Sequence, residues 1–240
     1  MTQPFPIIVV PTDAAVATEA MGTKFKFWFH HPFWGYCLYK QARSNTGEDW
    51  AEKIASQLCE LLELPHARIE LATWNHNRGT VSPSFVPDAG NLIQGNEILA
   101  PMVPDYPQFQ TFNVSQHTLD IVLIAIGNNA VQIPLSWIPP KGITTAVETF
   151  LGYLLLDAWI GNSDRHHENW AFIENPRISS TSPAMLNLAP TYDHASSLGR
   201  ELLDVKRQET LNNRSVFPHA DKCRSALYIQ VRHRTPPKPS

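Results

Sequence analysis

The strongest constraint on this chain is a helix-length segment, Thr144 to Ile160, that is apolar almost all round. It runs directly into the polar string Gly161-Asn162-Ser163-Asp164-Arg165-His166-His167-Glu168-Asn169. A segment without a polar face belongs inside a layer of helices, and Gly161 and Asn162 are residues that end one. The polar string therefore leaves a core without being part of it. The rest of the chain can supply that core: of 240 residues, 43% are hydrophobic and only 17% charged, which excludes a disordered chain and a coiled coil. The length suits one large domain or two small lobes sharing a cleft.

Three cysteines, Cys37, Cys59 and Cys223, form neither a disulfide framework nor a Cys-x-x-Cys metal site, and a reducing compartment is expected. Asp120, Glu148 and Asp157 interrupt the longest apolar stretches, so no membrane span is expected. The stretch Met1 to Pro11 has no basic region or cleavage site of a signal peptide. These features point to a cytoplasmic protein without a membrane partner. Residues 1–205 carry 11 Lys/Arg against 20 Asp/Glu, and residues 206–240 carry 8 against 2. Spread over that length, the basic excess reads as a solvated face rather than a nucleic-acid site.

Prolines punctuate the chain at 4–11, 83–107, 134–140 and 236–239, and no internal repeat occurs. The aromatic stretch Lys24 to Lys40, broken at His31-Pro32, predicts two strands, with Tyr36, Leu38 and Lys40 on one face. Asp49 to Leu64 predicts a helix with Trp50, Ile54, Leu58, Leu61 and Leu62 on its apolar stripe, Asp49 and Glu52 in capping-box positions and Pro65 as its stop. Ile69–Thr73 and Thr80–Val86 read as strands. Ser115 can cap a helix reaching Gly127, Trp170–Ile173 and Leu186–Ala189 read as a strand pair, and Cys223–Tyr228 reads as a helix start. A strand-rich lobe over 1–105 and a helix-rich lobe over 106–240 are expected, the latter holding a loop at 161–173.

Asp164 and Asn169 reproduce the Asp-x-x-x-x-Asn spacing of a kinase catalytic loop, in which the aspartate accepts a hydroxyl proton and the asparagine holds magnesium. Asp193 follows the strand pair, where a second metal-binding carboxylate could return to the same cleft. Upstream, Lys40 ends an aromatic strand before a helix that contains Glu52. That is the order of a phosphate-binding lysine and its partner acid, and a buried lysine needs such a counter-charge. Glu48 lies closer to the loop and is the weaker partner. No Gly-x-Gly-x-x-Gly or Walker sequence occurs, which leaves Gly22-Thr23-Lys24 as the candidate phosphate-covering loop, with Gly22 and Lys24 as its nucleotide contacts.

The phrases Leu156-Asp157-Ala158-Trp159-Ile160-Gly161-Asn162-Ser163-Asp164-Arg165-His166-His167-Glu168-Asn169-Trp170 and Leu188-Ala189-Pro190-Thr191-Tyr192-Asp193 resemble the carboxy-terminal domain of HipA-like kinases. The resemblance is most specific over 145–204 and looser over 22–100. It implies an α+β, two-lobed protein-kinase-like fold that phosphorylates protein serine or threonine using ATP and Mg2+, often as the toxin of a toxin-antitoxin pair. On that resemblance Asp164 is the catalytic base, Asn169 and Asp193 are metal ligands and Lys40 is the nucleotide lysine. His194 and Ala195 stand where protein kinases have Phe-Gly. With 47 residues after Asp193, the helical lobe is expected to be short, as in a truncated reading frame.

Two other classes fit parts of the pattern. A catalytically impaired nucleotide-binding or interaction module would keep the cleft and lose transfer. A metal-dependent hydrolase would use Asp164, His166 and Asp193, although neighbouring histidines diverge and no His-Glu-x-x-His spacing occurs. In the kinase reading, Arg165, His166 and His167 support the loop, and one histidine orients Asp164 or lines the substrate side.

Overall fold

In the computed structural model, which describes residues 3–15, 17–18, 25–175, 185–200, 203–213, 220–221 and 223–229, the first part of the chain builds a six-stranded sheet. Its strands are β1 (Ile7–Val9), β2 (Ala17–Thr18), β3 (Lys26–His31), β4 (Gly35–Gln41), β5 (Glu70–Trp74) and β6 (Asn77–Pro83), in the order β1-β5-β6-β4-β3-β2. The β1–β5 pair is parallel and the other pairs are antiparallel. As His31-Pro32 predicts, the chain reverses between β3 and β4, and Gly35 supplies the φ of 71° that the turn needs. Register sets Phe27 opposite Tyr39 and Tyr39 opposite Val81. These side chains are buried together with Phe29, Cys37 and Ala72. Alternation along β4 then turns Lys40 away from that core.

On the Lys40 side lies α1 (Glu48–Leu61), which packs against β5 and β6. It starts one residue earlier than its sequence suggests, and no side chain caps it. Asp49 is not a cap, because its carboxylate binds the Arg78 guanidinium at 2.9 and 2.8 Å. The apolar stripe also differs from expectation. Ile54, Leu61 and Leu62 are exposed, and the helix instead buries small residues, Ala51, Ala55 and Cys59, beside Glu48, Asp49, Glu52 and Lys53. Small side chains let α1 approach closely, and each buried charge meets an opposite one from another element.

The second part consists of β7 (Asn91–Gln94), α2 (Gly95–Leu99), α3 (Leu119–Ile126), β8 (Val131–Gln132), α4 (Ala146–Ile160), β9 (Ala171–Glu174), β10 (Leu186–Leu188) and α5 (Asp204–Asn212). Its sheet has the order β7-β9-β10-β8 and includes the antiparallel β9–β10 pair anticipated after the polar string. Thr118, not Ser115, caps α3 by accepting a hydrogen bond from the Ile121 amide. Thr145 and Glu148 form the capping box of α4. Only one flank of α4 enters the core, through Phe150, Tyr153, Leu156 and Ile160. Leu151, Leu155 and Trp159 are exposed on the other flank, so an all-round apolar sequence here does not mean an all-round buried helix. Cys223–Tyr228 is irregular rather than helical, and at its end Tyr228 bridges Thr118 and exchanges backbone hydrogen bonds with His117 and Leu119.

Backbone also joins the two parts. Thr191 N–H donates to the Pro65 carbonyl at 3.0 Å, and Ala67 N–H donates to the Thr191 carbonyl at 2.9 Å. No described helix is long and apolar enough to cross a membrane.

Candidate active site

The polar string is shaped from beneath by one buried charge pair. Gly161 ends α4 in the left-handed region at φ 63°. The chain then folds back so that Asn162 Nδ2 donates to Asp157 Oδ1 at 2.8 Å. Arg165 is 1% exposed and donates to both oxygens of Asp157, from Nε at 2.7 Å and Nη2 at 2.8 Å. Its remaining donors reach the Asn169 carbonyl at 2.7 Å and Thr191 Oγ1 at 2.9 Å. One guanidinium thus ties the helix, the loop and the segment before Asp193. Burial would raise the Asp157 carboxyl pKa, but the Arg165 charge and hydrogen bonds outweigh it and hold it below the ordinary value.

Above this strut, Asp164 is partly exposed, with a side-chain exposure of 33%. Ser196 Oγ donates to its Oδ2 at 3.0 Å, and His166 Nε2 lies 3.7 Å from Oδ1. Asn169 Nδ2 donates to the Asp164 carbonyl at 2.6 Å, which directs the nitrogen end of the amide inward. Asp193 has a φ of 56°, a region that aspartate tolerates better than most residues. Its Oδ2 lies 3.3 Å from Lys40 Nζ, and the same ammonium is 3.7 Å from Glu52 Oε1. Lys40, Glu52 and Asp193 therefore meet across the two parts of the chain. Glu48 faces elsewhere, towards Arg43 at 3.0 Å and Arg200 at 3.2 Å. Gly22 and Lys24 lie outside the described residues.

The histidines separate into different environments. His166 stays beside Asp164, with its Nδ1 3.9 Å from Glu168 Oε2. His167 turns into the core, where its Nδ1 is 2.8 Å from the Tyr106 hydroxyl. His194 Nε2 lies 2.8 Å from Thr191 Oγ1 and 3.2 Å from Arg165 Nη2. Burial, assisted by the Arg165 charge, lowers its pKa to about 3. Among the described residues, no three His, Cys, Asp or Glu side chains gather to hold a metal by themselves, so the hydrolase reading gains no support from a ligand cluster. Spacing along the chain does not mark Asp157, Thr191 and Ser196 as parts of this arrangement. For Asp157 the signal is a carboxylate on the core side of an apolar helix.

His117 lies behind the loop and accepts a hydrogen bond from Trp170 Nε1 at 3.1 Å. Burial, with His167 nearby, lowers its pKa to about 3. A folded pKa below the unfolded value of 6.5 means that the unfolded chain binds the extra proton. The stabilisation is complete above about pH 6.5 and declines as pH falls towards 3. At pH 5 this one ring should cost about 2 kcal/mol relative to neutral pH. Urea midpoints measured at pH 7 and pH 5 should therefore converge in His117→Gln compared with the unaltered protein.

No family model matches the chain, and no curated protein matches it. Solved structures do. The Helicobacter pylori proinflammatory kinase CtkA aligns over 94% of this chain and 73% of its own, with a TM-score of 0.66 and 21% identity. HipA from Shewanella oneidensis MR-1, solved in a toxin-antitoxin complex with HipB and operator DNA, aligns over 78% of this chain with a TM-score of 0.50 and 13% identity. The chain has the kinase-like fold of CtkA and HipA. It spans 45% of that HipA chain. The α+β kinase-like architecture expected from the sequence is the one observed, and in this kinase-like fold Lys40 lies on the sheet-rich side, with Asp164, Asn169 and Asp193 on the other.

Proposed function

We propose that this chain transfers the terminal phosphoryl group of ATP to a protein serine or threonine hydroxyl. The observation that carries the reading is the position of Lys40 Nζ, 3.7 Å from Glu52 and 3.3 Å from Asp193. A cation held between an acid of the sheet-side helix and an acid beside the catalytic loop is placed to receive phosphate oxygens. Asp164 would accept the proton of the attacking hydroxyl, with the Ser196 hydroxyl fixing its orientation and His166 beside it. Asp193 and the amide oxygen of Asn169 are hard oxygen donors of the kind magnesium prefers. When bound, magnesium would neutralise charge on the phosphate oxygens. Positioning and charge therefore account for most of the work asked of these residues.

Calorimetry with ATP and magnesium, followed by a phosphate-transfer assay, tests this reading. Lys40→Met should weaken nucleotide binding about tenfold or more, in line with the loss of one charge-assisted contact. Asp193→Ala should remove the magnesium dependence of binding. Nucleotide binding without transfer to any protein hydroxyl would instead identify the chain as an interaction module. The Shewanella structure contains HipB, and an antitoxin-type partner is proposed for this chain as well. Co-purification with the product of a neighbouring gene would test that.

A further inference from the structure

The loop between α2 and α3 shows two phenyl rings to solvent, one of them beside the Asp164 site. Its ends are anchored by Tyr106 and Val114, which belong to the same buried cluster as Phe150 and Trp170. Between these anchors Asn96 Nδ2 donates to the Gln108 carbonyl at 3.1 Å, and Gln110 N–H donates to the Pro107 carbonyl at 3.0 Å. Gln110 Nε2 then donates to the Phe112 carbonyl at 2.7 Å. The loop is thus held in one course, yet Phe109 is 93% exposed and Phe112 is 61% exposed. An isolated exposed apolar residue needs no explanation, but Phe112 is not isolated from the chemistry. Its ring meets the edge of His166 with centroids 5.7 Å apart, and His166 Nε2 lies 3.7 Å from Asp164 Oδ1. A second contact joins the two loops, from Thr111 Oγ1 to Glu168 Oε1 at 3.5 Å. The surface beside the Asp164 carboxylate is therefore aromatic, with the partly exposed Glu168 on the far side of His166.

We propose that Phe112 and His166 form the platform on which the acceptor polypeptide lies, and that this platform selects a large apolar side chain two residues from the acceptor serine or threonine. The inference rests on the reading above, in which Asp164 receives the acceptor hydroxyl. That reading fixes where the incoming segment must pass. In an extended segment the side chains two residues apart point the same way, about 7 Å from each other. With the hydroxyl on Asp164, the next side chain facing the protein then falls over His166 and Phe112, where an apolar group covers the exposed ring. An acidic side chain in that place meets Asp164 and Glu168 and is disfavoured by like charge.

Fluorescence anisotropy with labelled peptides tests the proposal without requiring turnover. The full chain, with magnesium and a non-hydrolysable ATP analogue, is titrated against peptides with one central serine in a Gly/Ala background. The positions two residues to either side of the serine hold leucine, glycine or aspartate. The leucine peptide should bind at least about fivefold more tightly than the glycine peptide, and the aspartate peptide should bind most weakly. Phe112→Ser should erase the difference between leucine and glycine, whereas Leu61→Ser, which removes a comparably exposed apolar side chain from α1, should keep it. Thermal melts check that both variants are folded. A transfer assay on the same peptides with ATP separates this proposal from the reading it rests on. Preferred transfer to the leucine peptide supports both, and leucine-selective, Phe112-dependent binding without transfer supports the platform and counts against phosphoryl transfer. Equal binding of the three peptides, selectivity that survives Phe112→Ser, or no saturable binding would overturn the platform. Phe112-dependent sedimentation with phosphatidylcholine vesicles in the absence of peptide selectivity would overturn it as well, in favour of a membrane contact.

Discussion

Asp164→Asn should reduce phosphoryl transfer by about 10²–10⁴-fold, the usual contribution of a positioned general base, while nucleotide affinity changes little. The geometry separates the two effects. Asp164 interacts with Ser196 and His166, whereas the Lys40 contacts are to Glu52 and Asp193. Asparagine preserves the shape and can still accept from Ser196 Oγ, but it cannot take up a proton. Quantifying product by phosphoprotein mass spectrometry, alongside calorimetric nucleotide binding, would test both halves of the prediction. Transfer at the original rate would remove Asp164 from the chemistry.

Arg165→Met should destabilise the fold by about 3–5 kcal/mol, the cost of leaving a buried charge without its partner. That is a large share of the roughly 5–15 kcal/mol that stabilises an ordinary domain. Asp157 would keep Asn162 as a donor but lose both guanidinium contacts, and the Asn169 carbonyl and Thr191 hydroxyl would each lose one. The double variant Asp157→Leu/Arg165→Met should recover about half of the loss, since no isolated charge remains and the two sites can pack as apolar volume. Urea denaturation of the single and double variants measures this coupling. Additive losses would show that the pair is not a unit. The double variant should still transfer phosphate poorly, because the loop would lack the strut that anchors the Asn169 carbonyl.

The residues most legible in the sequence are those whose spacing is dictated by a shared target. Asp164 and Asn169 lie within one loop, and Lys40 precedes a helix that can return only one or two turns of side chains to it. Their proximity, and that of Asp193 to Lys40, follows from local order plus the strand pair β9–β10. What supports them was harder to read, because it depends on distant pairings. Nothing in the spacing of Glu48 and Arg200 announces that they meet, and Asp49 looks like a cap until Arg78 arrives from β6. The apolar stripe of α1 misleads for a related reason: periodicity weighs large residues, whereas a helix packed close to a sheet buries its small ones. On α4 the same rule overstated burial, since too little of the surrounding structure reaches Leu151, Leu155 and Trp159.

The backbone exchange between residues 65–67 and Thr191 has a mechanical consequence. Main chain also joins the two parts at Gly47, whose N–H donates to the Arg200 carbonyl at 3.0 Å, and Ala55 and Cys59 of α1 pack in one cluster with Leu156 and Ile160 of α4. The parts are therefore clamped at several places and do not turn about a single pivot. Asp193 lies in the chain between the two main-chain junctions, so its separation from Lys40, the spacing a bound phosphate chain would have to match, is held from both sides.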